Sequence, residues 1–339
     1  MRVVSLLPSA TEILCAIGGR GMLVGRSHEC DFAPAPIVAP SGPGGSPEFP
    51  PLEEVPVLTA ARTRFRTAGQ VDREVRELLS GGDGASLYTL DAALLERLRP
   101  EVILTQDLCR VCSIDVGTVR EAAARLNPPA RVVSLNATTL EGVFDDVLEV
   151  GRAVGLEREA EAALVRLRER MYSAADYVNP YADGPNVAFL EWTDPLFIGG
   201  HWTPQLIERA GGRHPLNPTT AVRQAGAAAG PVGTTLRKAG RSVAAPAEVL
   251  AASRPERLIV CPCGLGLEEV ERETARLAEQ PWWRELPAVK EGKVALVDGN
   301  QMFNRPGPRL VEAFEWLVGW LNDVPRVMPE GFPGRSWGG

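Results

Sequence analysis

Two stretches of the chain share one pattern, and that pattern decides the fold. The first is Leu94-Leu95-Glu96-Arg97-Leu98-Arg99-Pro100-Glu101-Val102-Ile103-Leu104-Thr105. The second is Val249-Leu250-Ala251-Ala252-Ser253-Arg254-Pro255-Glu256-Arg257-Leu258-Ile259-Val260. Each predicts a helix, then Arg-Pro-Glu, then a buried strand, because proline cannot continue a helix and the final apolar run is short. The repetition predicts an α/β fold with two lobes of similar construction.

A second echo supports the duplication. Residues 9–19 and 203–212 each predict a capped helix that closes on Gly-Gly. In the first of them, Ser9 and Glu12 have the spacing of a capping box. The two segments therefore predict equivalent helices in the two lobes.

Helical periodicity between the two patterns predicts a connector. Residues 140–154 and 157–177 are rich in good helix formers, and the second segment would be about 30 Å long. We expect an N-terminal lobe, a helical connector, a C-terminal lobe and a tail at residues 1–136, 137–180, 181–325 and 326–339. Residues 34–51 and 219–241 are poor in apolar side chains and predict two insertions.

Composition narrows the possible functions. The 339 residues are 45% hydrophobic, and the net charge of −7 argues against nucleic-acid binding. Uninterrupted apolar runs stay below the roughly 18 residues of a membrane span. The N-terminus lacks the pattern of a signal peptide, so a cytoplasmic location is expected.

Parallel sheets bind ligands at the carboxyl ends of their strands. This rule collects the chemically unusual residues of both lobes in one predicted interlobe cleft. The candidate ligand-binding residues are Pro8, Ser9, His28, Glu29, Gln106, Asp107, Glu191, Trp192, His201, Trp202, Phe303, Asn304 and Arg305.

The cysteines suggest a different chemistry for the same cleft. Cys109 and Cys112 have C-x-x-C spacing, Cys30 follows His28 and Glu29, and Cys263 follows the second Arg-Pro-Glu strand. These four are the candidate metal ligands, and a soft set of this kind suits zinc or an iron–sulfur cluster. Cys30 beside His28 also leaves open catalysis by a low-pKa thiol, although no third orienting group is identifiable.

Several segments resemble a known family. They are Val3-Val4-Ser5-Leu6-Leu7-Pro8-Ser9-Ala10-Thr11-Glu12-Ile13, Ser27-His28-Glu29-Cys30-Asp31, Leu104-Thr105-Gln106-Asp107-Leu108-Cys109, Phe189-Leu190-Glu191-Trp192 and Asn304-Arg305-Pro306-Gly307-Pro308-Arg309. Together they resemble the substrate-binding proteins of vitamin B12 and iron-chelate ABC importers, in the branch called cobalamin-binding proteins. The resemblance implies two α/β lobes bridged by one long helix, with the ligand in the cleft between them.

The resemblance also implies a function. We expect a non-enzymatic binding protein for cobalamin or a related metal chelate, with an ABC permease as partner. His28 or His201 is the candidate axial ligand. Trp192, Trp202 and Phe303 are the candidate apolar walls, and Arg305 and the helix N-terminus at Ser9 are the candidate polar contacts. The alternative is a metalloprotein that carries zinc or an iron–sulfur cluster on the cleft cysteines, with or without an enzymatic role.

Overall fold

A computed structural model of the chain describes residues 1–38, 49–62, 67–80, 87–107, 114–221 and 237–338. The N-terminal lobe contains a parallel sheet in the order β2-β1-β5-β6 and a separate β3-β4 ribbon. Its elements are β1 Val3–Ser5, α1 Pro8–Ala16, β2 Leu23–Arg26, β3 Thr59–Ala61, α2 Ala68–Ser80, β4 Tyr88–Leu90, α3 Ala92–Leu98, β5 Val102–Thr105, α4 Val116–Ala124 and β6 Arg131–Ser134.

Two helices join the lobes, α5 Leu140–Val154 and α6 Glu157–Ala175. The 19 residues of α6 make a helix about 28 Å long. Ala160 and Ala163, near its start, belong to the core of the N-terminal lobe, whereas Leu167 and Met171 belong to the core of the C-terminal lobe. The predicted connector is therefore packed into both lobes.

The C-terminal lobe is built on a six-stranded sheet in the order β11-β8-β7-β12-β13-β14. Strands β7, β12 and β13 are parallel, and the outer strands are antiparallel to their neighbours. The elements are β7 Val187–Thr193, β8 Leu196–Ile198, α7 Trp202–Arg209, β9 Thr220–Ala221, β10 Arg237–Lys238, β11 Val243–Ala244, α8 Ala247–Ala252, β12 Arg257–Val260, α9 Leu267–Ala278, α10 Pro287–Lys290, β13 Val294–Val297, α11 Leu310–Leu321 and β14 Gly334–Ser336.

The structure gives the two Arg-Pro-Glu segments the same backbone. Arg99 and Arg254 both adopt a left-handed conformation, with φ of 44° and 47°. The backbone N–H groups of the two residues after each proline then donate to one carbonyl just before the neighbouring strand, that of Arg2 in the first lobe and that of Asn186 in the second. The two-lobe α/β architecture predicted from the repeat is thus confirmed.

Two local expectations are corrected. α1 begins at Pro8, before the predicted capping residue Ser9, and has no side-chain cap, so Ser9 and Glu12 do not form a capping box. The predicted tail carries β14, which pairs with β13 and so extends the C-terminal sheet. The insertions fall largely outside the described residues, although 220–221 and 237–238 pair as β9 and β10.

Candidate ligand site

His28 is the best-defined candidate ligand on the N-terminal lobe. It follows β2, and its Nδ1 lies 2.8 Å from Thr59 Oγ1 at the start of β3. The Thr59 hydroxyl donates to Ser27 Oγ at 3.0 Å and accepts from the His28 backbone N–H at 3.1 Å. Burial, followed by the charge of Arg26, lowers the pKa of His28. The imidazole is therefore half-buried, neutral near pH 7 and held by a hydroxyl.

Glu29 lies beside His28 and shares a neighbour with it. Tyr88 packs against the His28 ring at 5.6 Å between centroids and donates to Glu29 Oε1 at 3.5 Å. Burial raises the pKa of Glu29 despite the nearby charge of Arg305. His28 and Glu29 thus form one polar group at the end of β2, as expected from the strand-end rule.

Cys30 is a buried thiol in the N-terminal lobe. It is 1% exposed, and the Thr11 hydroxyl donates to its Sγ at 3.0 Å. Burial raises its pKa to about 11, so the thiol stays protonated at neutral pH. This contradicts the interpretation of Cys30 as a low-pKa nucleophile.

The remaining metal candidates do not complete a site among the described residues. Within those ranges, no group of three His, Cys, Asp or Glu is arranged to hold a metal ion. Cys263 is partly exposed after β12. Cys109 and Cys112 lie outside the described residues. At the end of β5, Gln106 is buried and Asp107 is exposed, with its backbone N–H donating to Asn136.

Arg305 connects the two lobes. Its Nη1 donates to Glu12 Oε1 at 3.0 Å and to Asp31 Oδ1 at 2.7 Å, and its Nη2 donates to Asn300 Oδ1 at 3.1 Å. Asn300 Nδ2 donates to the other oxygen of Asp31 at 2.8 Å. We refer to Glu12, Asp31, Asn300 and Arg305 as the interlobe cluster. In the structure the guanidinium of Arg305 donates to two protein carboxylates, and not to the periphery of a ligand as predicted.

Pro8 and Ser9 lie buried near the same cluster. A Cβ on Gly307, two residues after Arg305, would sit 3.5 Å from the Ser9 Cβ. The C-terminal lobe therefore covers the start of α1 where the sequence predicted an open, anion-binding helix N-terminus. Ser9 Oγ and Glu12 Oε2 are buried there without a hydrogen-bond partner among the described residues.

Trp202 and Phe303 belong to the core of the C-terminal lobe. They are 6% and 1% exposed, and Trp202 Nε1 donates to the Phe303 carbonyl at 2.6 Å. Phe303 also packs edge-on against Phe189 and Trp316. Both were predicted as ligand walls, and the structure corrects this because their ring surfaces are already covered by protein.

The other candidates on this lobe have largely structural partners. Both oxygens of Glu191 accept bonds, one from the Gly200 N–H and one from the Ser242 hydroxyl. Asn304 donates to the carbonyls of Cys261 and Gly299. Trp192 donates to the Asp194 carbonyl and packs beside the α9 side of the sheet. His201 is half-buried and stacks on Trp202.

A cavity of about 730 Å³ lies between α2 and the C-terminal lobe. Its volume is in the range of small-molecule sites. Gly69, in the first turn of α2, lines the cavity from the N-terminal lobe. A Cβ at this position would lie 2.1 Å from Asp194 Oδ2, so only glycine leaves room for the Asp194 carboxylate beside the start of the helix. The lining residues are Thr67, Gly69, Thr193, Asp194, Pro195, Leu196, Ala244, Ala245, Pro246, Ala247, Glu273, Arg276, Leu277, Gln280 and Trp282.

The partners that shape these groups were not identifiable from the sequence. Thr59, Asp31, Glu12 and Asp194 come from segments far along the chain from the side chains they contact. Glu12 and Asp31 lie inside the segments that carry the family resemblance, but no motif assigns them to Arg305, and Asp194 belongs to no motif. Thr59 alone gives a weak signal of a functional role, because it is a polar residue directly after a short apolar segment.

Comparison with known proteins identifies the fold. No family model and no curated protein sequence matches the chain. A periplasmic heme-binding protein from Pseudomonas aeruginosa is 19% identical, with a TM-score of 0.64 over 99% of this chain and 97% of its own. The periplasmic vitamin B12-binding protein BtuF of Vibrio cholerae is 17% identical, with a TM-score of 0.57 over 96% and 98%. An ABC transporter substrate-binding protein from Listeria monocytogenes is 15% identical, with a TM-score of 0.58 over 95% and 98%.

The chain thus has the two-lobe α/β fold of these binding proteins. The expected cytoplasmic location is contradicted, because the solved heme- and vitamin B12-binding proteins that share the fold are periplasmic. Among the helices in the described ranges, none has both the length and the apolar character to cross a bilayer.

Proposed function

We propose that this protein binds a metal tetrapyrrole, cobalamin or heme, in the cleft between its lobes and delivers it to an ABC permease. Of the solved proteins that share its fold, one is a heme-binding protein, one a vitamin B12-binding protein and one an ABC transporter substrate-binding protein. A periplasmic location follows from the same proposal.

The environment of His28 carries the proposal. In the proposed arrangement Thr59 Oγ1 donates to Ser27 and accepts from His28 Nδ1–H. This tautomer leaves Nε2 unprotonated, and Nε2 has no hydrogen-bond partner among the described residues. Metal-ligating histidines are held in this way, with one ring nitrogen donating to an oxygen and the other free for the metal. We therefore propose His28 as the axial ligand of the chelated metal.

His201 offers weaker support as the axial ligand. Its backbone has φ of 55° and its N–H donates to the Gly240 carbonyl, so the residue has a role in the turn before α7. In the described part of the chain, no group bonds to its ring nitrogens and fixes a tautomer. The third histidine, His214, is 1% exposed, and its Nδ1 contacts the Val187 carbonyl.

A zinc or iron–sulfur metalloprotein has less support. Cys30 is a protonated core thiol, and the described residues contain no three-ligand cluster. The proposal therefore assigns the metal to the bound chelate.

Absorption titrations of the purified chain with hemin and with hydroxocobalamin test the proposal. We expect one of them to bind with a shifted metal-sensitive band that His28→Ala removes. His201→Ala is the matched control, since both residues are half-buried histidines, and it should keep the band. Failure of both chelates to bind would overturn the proposal, and loss of the band in His201→Ala alone would reassign the ligand.

A further inference from the structure

Arg305 makes contacts that go beyond a simple ion pair. The residue follows β13 in the C-terminal lobe, yet three of its partners, Glu12, Asp31 and the carbonyl of Glu29, belong to the N-terminal lobe. Arg305 is 6% exposed and Glu12 is fully buried. The planar guanidinium of Arg305 can donate to all of these acceptors at once, because its N–H groups point in fixed, different directions. A lysine ammonium would place its donors at one point.

The carboxylate of Asp31 is held from the opposite lobe on both sides. Arg305 donates to one of its oxygens and Asn300 to the other. Burial raises the pKa of Asp31, but the hydrogen bonds and charge of Arg305 outweigh burial and leave the pKa below its ordinary value. Asp31 therefore remains an anion that fixes residues 29–31 against the C-terminal lobe.

Residues 29–31 directly follow His28. Thr59 holds the His28 ring from its own lobe, and Arg305 holds the next three residues from the other lobe, through the Glu29 carbonyl and the Asp31 carboxylate. A buried ion pair is weak evidence for stability, because its desolvation opposes its attraction. The contacts of Arg305 are better explained by their effect on geometry, because they fix the position of residues 29–31.

We infer that Arg305 is a positioning residue through which the C-terminal lobe sets the orientation of the His28 segment. The inference rests on the proposed function, since the segment matters most if His28 ligates the chelate. It makes lobe arrangement and metal ligation interdependent, because both depend on the same guanidinium.

Three variants test this inference. Arg305→Lys keeps the positive charge and loses the planar guanidinium with its several N–H donors. Asp31→Asn keeps the size of the side chain and removes its charge from the same contact, so it gives a second variant if Arg305→Lys does not fold. Arg170→Lys is the matched control, because Arg170 also makes a bidentate pair, at 2.8 and 2.6 Å to Glu315, between α6 and α11.

Hydrogen exchange of the ligand-free protein gives a readout that does not depend on the proposed function. We expect amides 28–31 to exchange faster in Arg305→Lys and Asp31→Asn than in wild type, and Arg170→Lys to leave them unchanged. Unchanged exchange in two folded variants would overturn the inference, whatever the protein binds.

Chelate titration then tests the coupling. Both variants should bind the chelate about 10- to 100-fold more weakly, with an altered ligation band, as for other residues that orient metal ligands. If wild type binds and His28→Ala loses the band, but Arg305→Lys and Asp31→Asn match wild type, the inference fails while the proposed function stands. If wild type binds neither chelate, the proposed function fails, and hydrogen exchange alone decides whether Arg305 positions the segment.

Discussion

Glu12→Gln should change how the stability of the protein depends on pH. Glu12 is fully buried, only Oε1 contacts Arg305, and Oε2 has no hydrogen-bond partner among the described residues. Burial raises the pKa of Glu12 from its ordinary value of 4.5 to about 7, against the opposing charge of Arg305. Arg305 itself has two carboxylate partners and keeps its charge, because Asp31 compensates for its burial.

The sign follows from proton binding. Between pH 4.5 and about 7 the folded state binds the Glu12 proton and the unfolded state releases it, so stability falls as the pH rises. The difference between the two pKa values corresponds to about 3 kcal/mol in total, most of which lies between pH 5 and 8. The full contribution is present below pH 4.5 and is lost above pH 7.

Urea unfolding followed by tryptophan fluorescence at pH 5, 6, 7 and 8 measures this. We expect the free energy of unfolding of wild type, minus that of Glu12→Gln, to fall across the series. Glu169→Gln, at an exposed ion pair on α6, should show no comparable trend. A constant difference would refute the reasoning. A difference that grows with pH would mean that Arg305 outweighs burial and lowers the pKa of Glu12.

Three further predictions concern single side chains. Thr59→Val removes the acceptor of His28 Nδ1 and should weaken chelate binding about 10- to 100-fold in absorption titrations, whereas Thr89→Val in the same ribbon should not. Trp202→Phe leaves the Phe303 carbonyl without its donor and should cost about 2 kcal/mol in urea unfolding, more than Trp282→Phe at a partly exposed site. Iodoacetamide at pH 8, followed by peptide mass mapping, should leave Cys30 unmodified in the native protein and modify Cys263, because only the latter is partly exposed; alkylation of native Cys30 would contradict its assignment as a core thiol.

The fold was largely predictable because its signals are local. Proline after a helix, a short β-branched run and Gly-Gly after a helix each restrict the backbone within a few residues. The structure bears this out at Gly18 and Gly211, which close α1 and α7 with φ of 86° and 92°. The ends of α5 were predicted to the residue because Thr139 caps its start and Gly155 its end.

The site was only partly predictable because its contacts join distant segments. His28 was identifiable as a polar residue after a strand, but Thr59 lies 31 positions away and Arg305 lies 274 positions from Asp31. The capping-box pattern at Ser9 and Glu12 failed for the same reason, since Glu12 bonds to the other lobe instead of its own helix. Trp202 and Phe303 were misplaced because a sequence gives the neighbours of an aromatic residue but not the direction of its ring.

The similar construction of the two lobes extends to one helix position. When Gly18 is aligned with Gly211, Glu12 of α1 corresponds to Gln205 of α7. Both side chains are buried, and both bond outside their own lobe: Glu12 to Arg305, and Gln205 to the backbone N–H of Leu140 at the start of α5. A polar residue at the same position of the same helix thus joins each lobe to the rest of the molecule. Of these two residues, only Glu12 can carry a charge. Its partner, the Arg305 guanidinium, also holds the segment that follows His28. Sensitivity of the lobe arrangement to pH should therefore arise at Glu12 and not at Gln205.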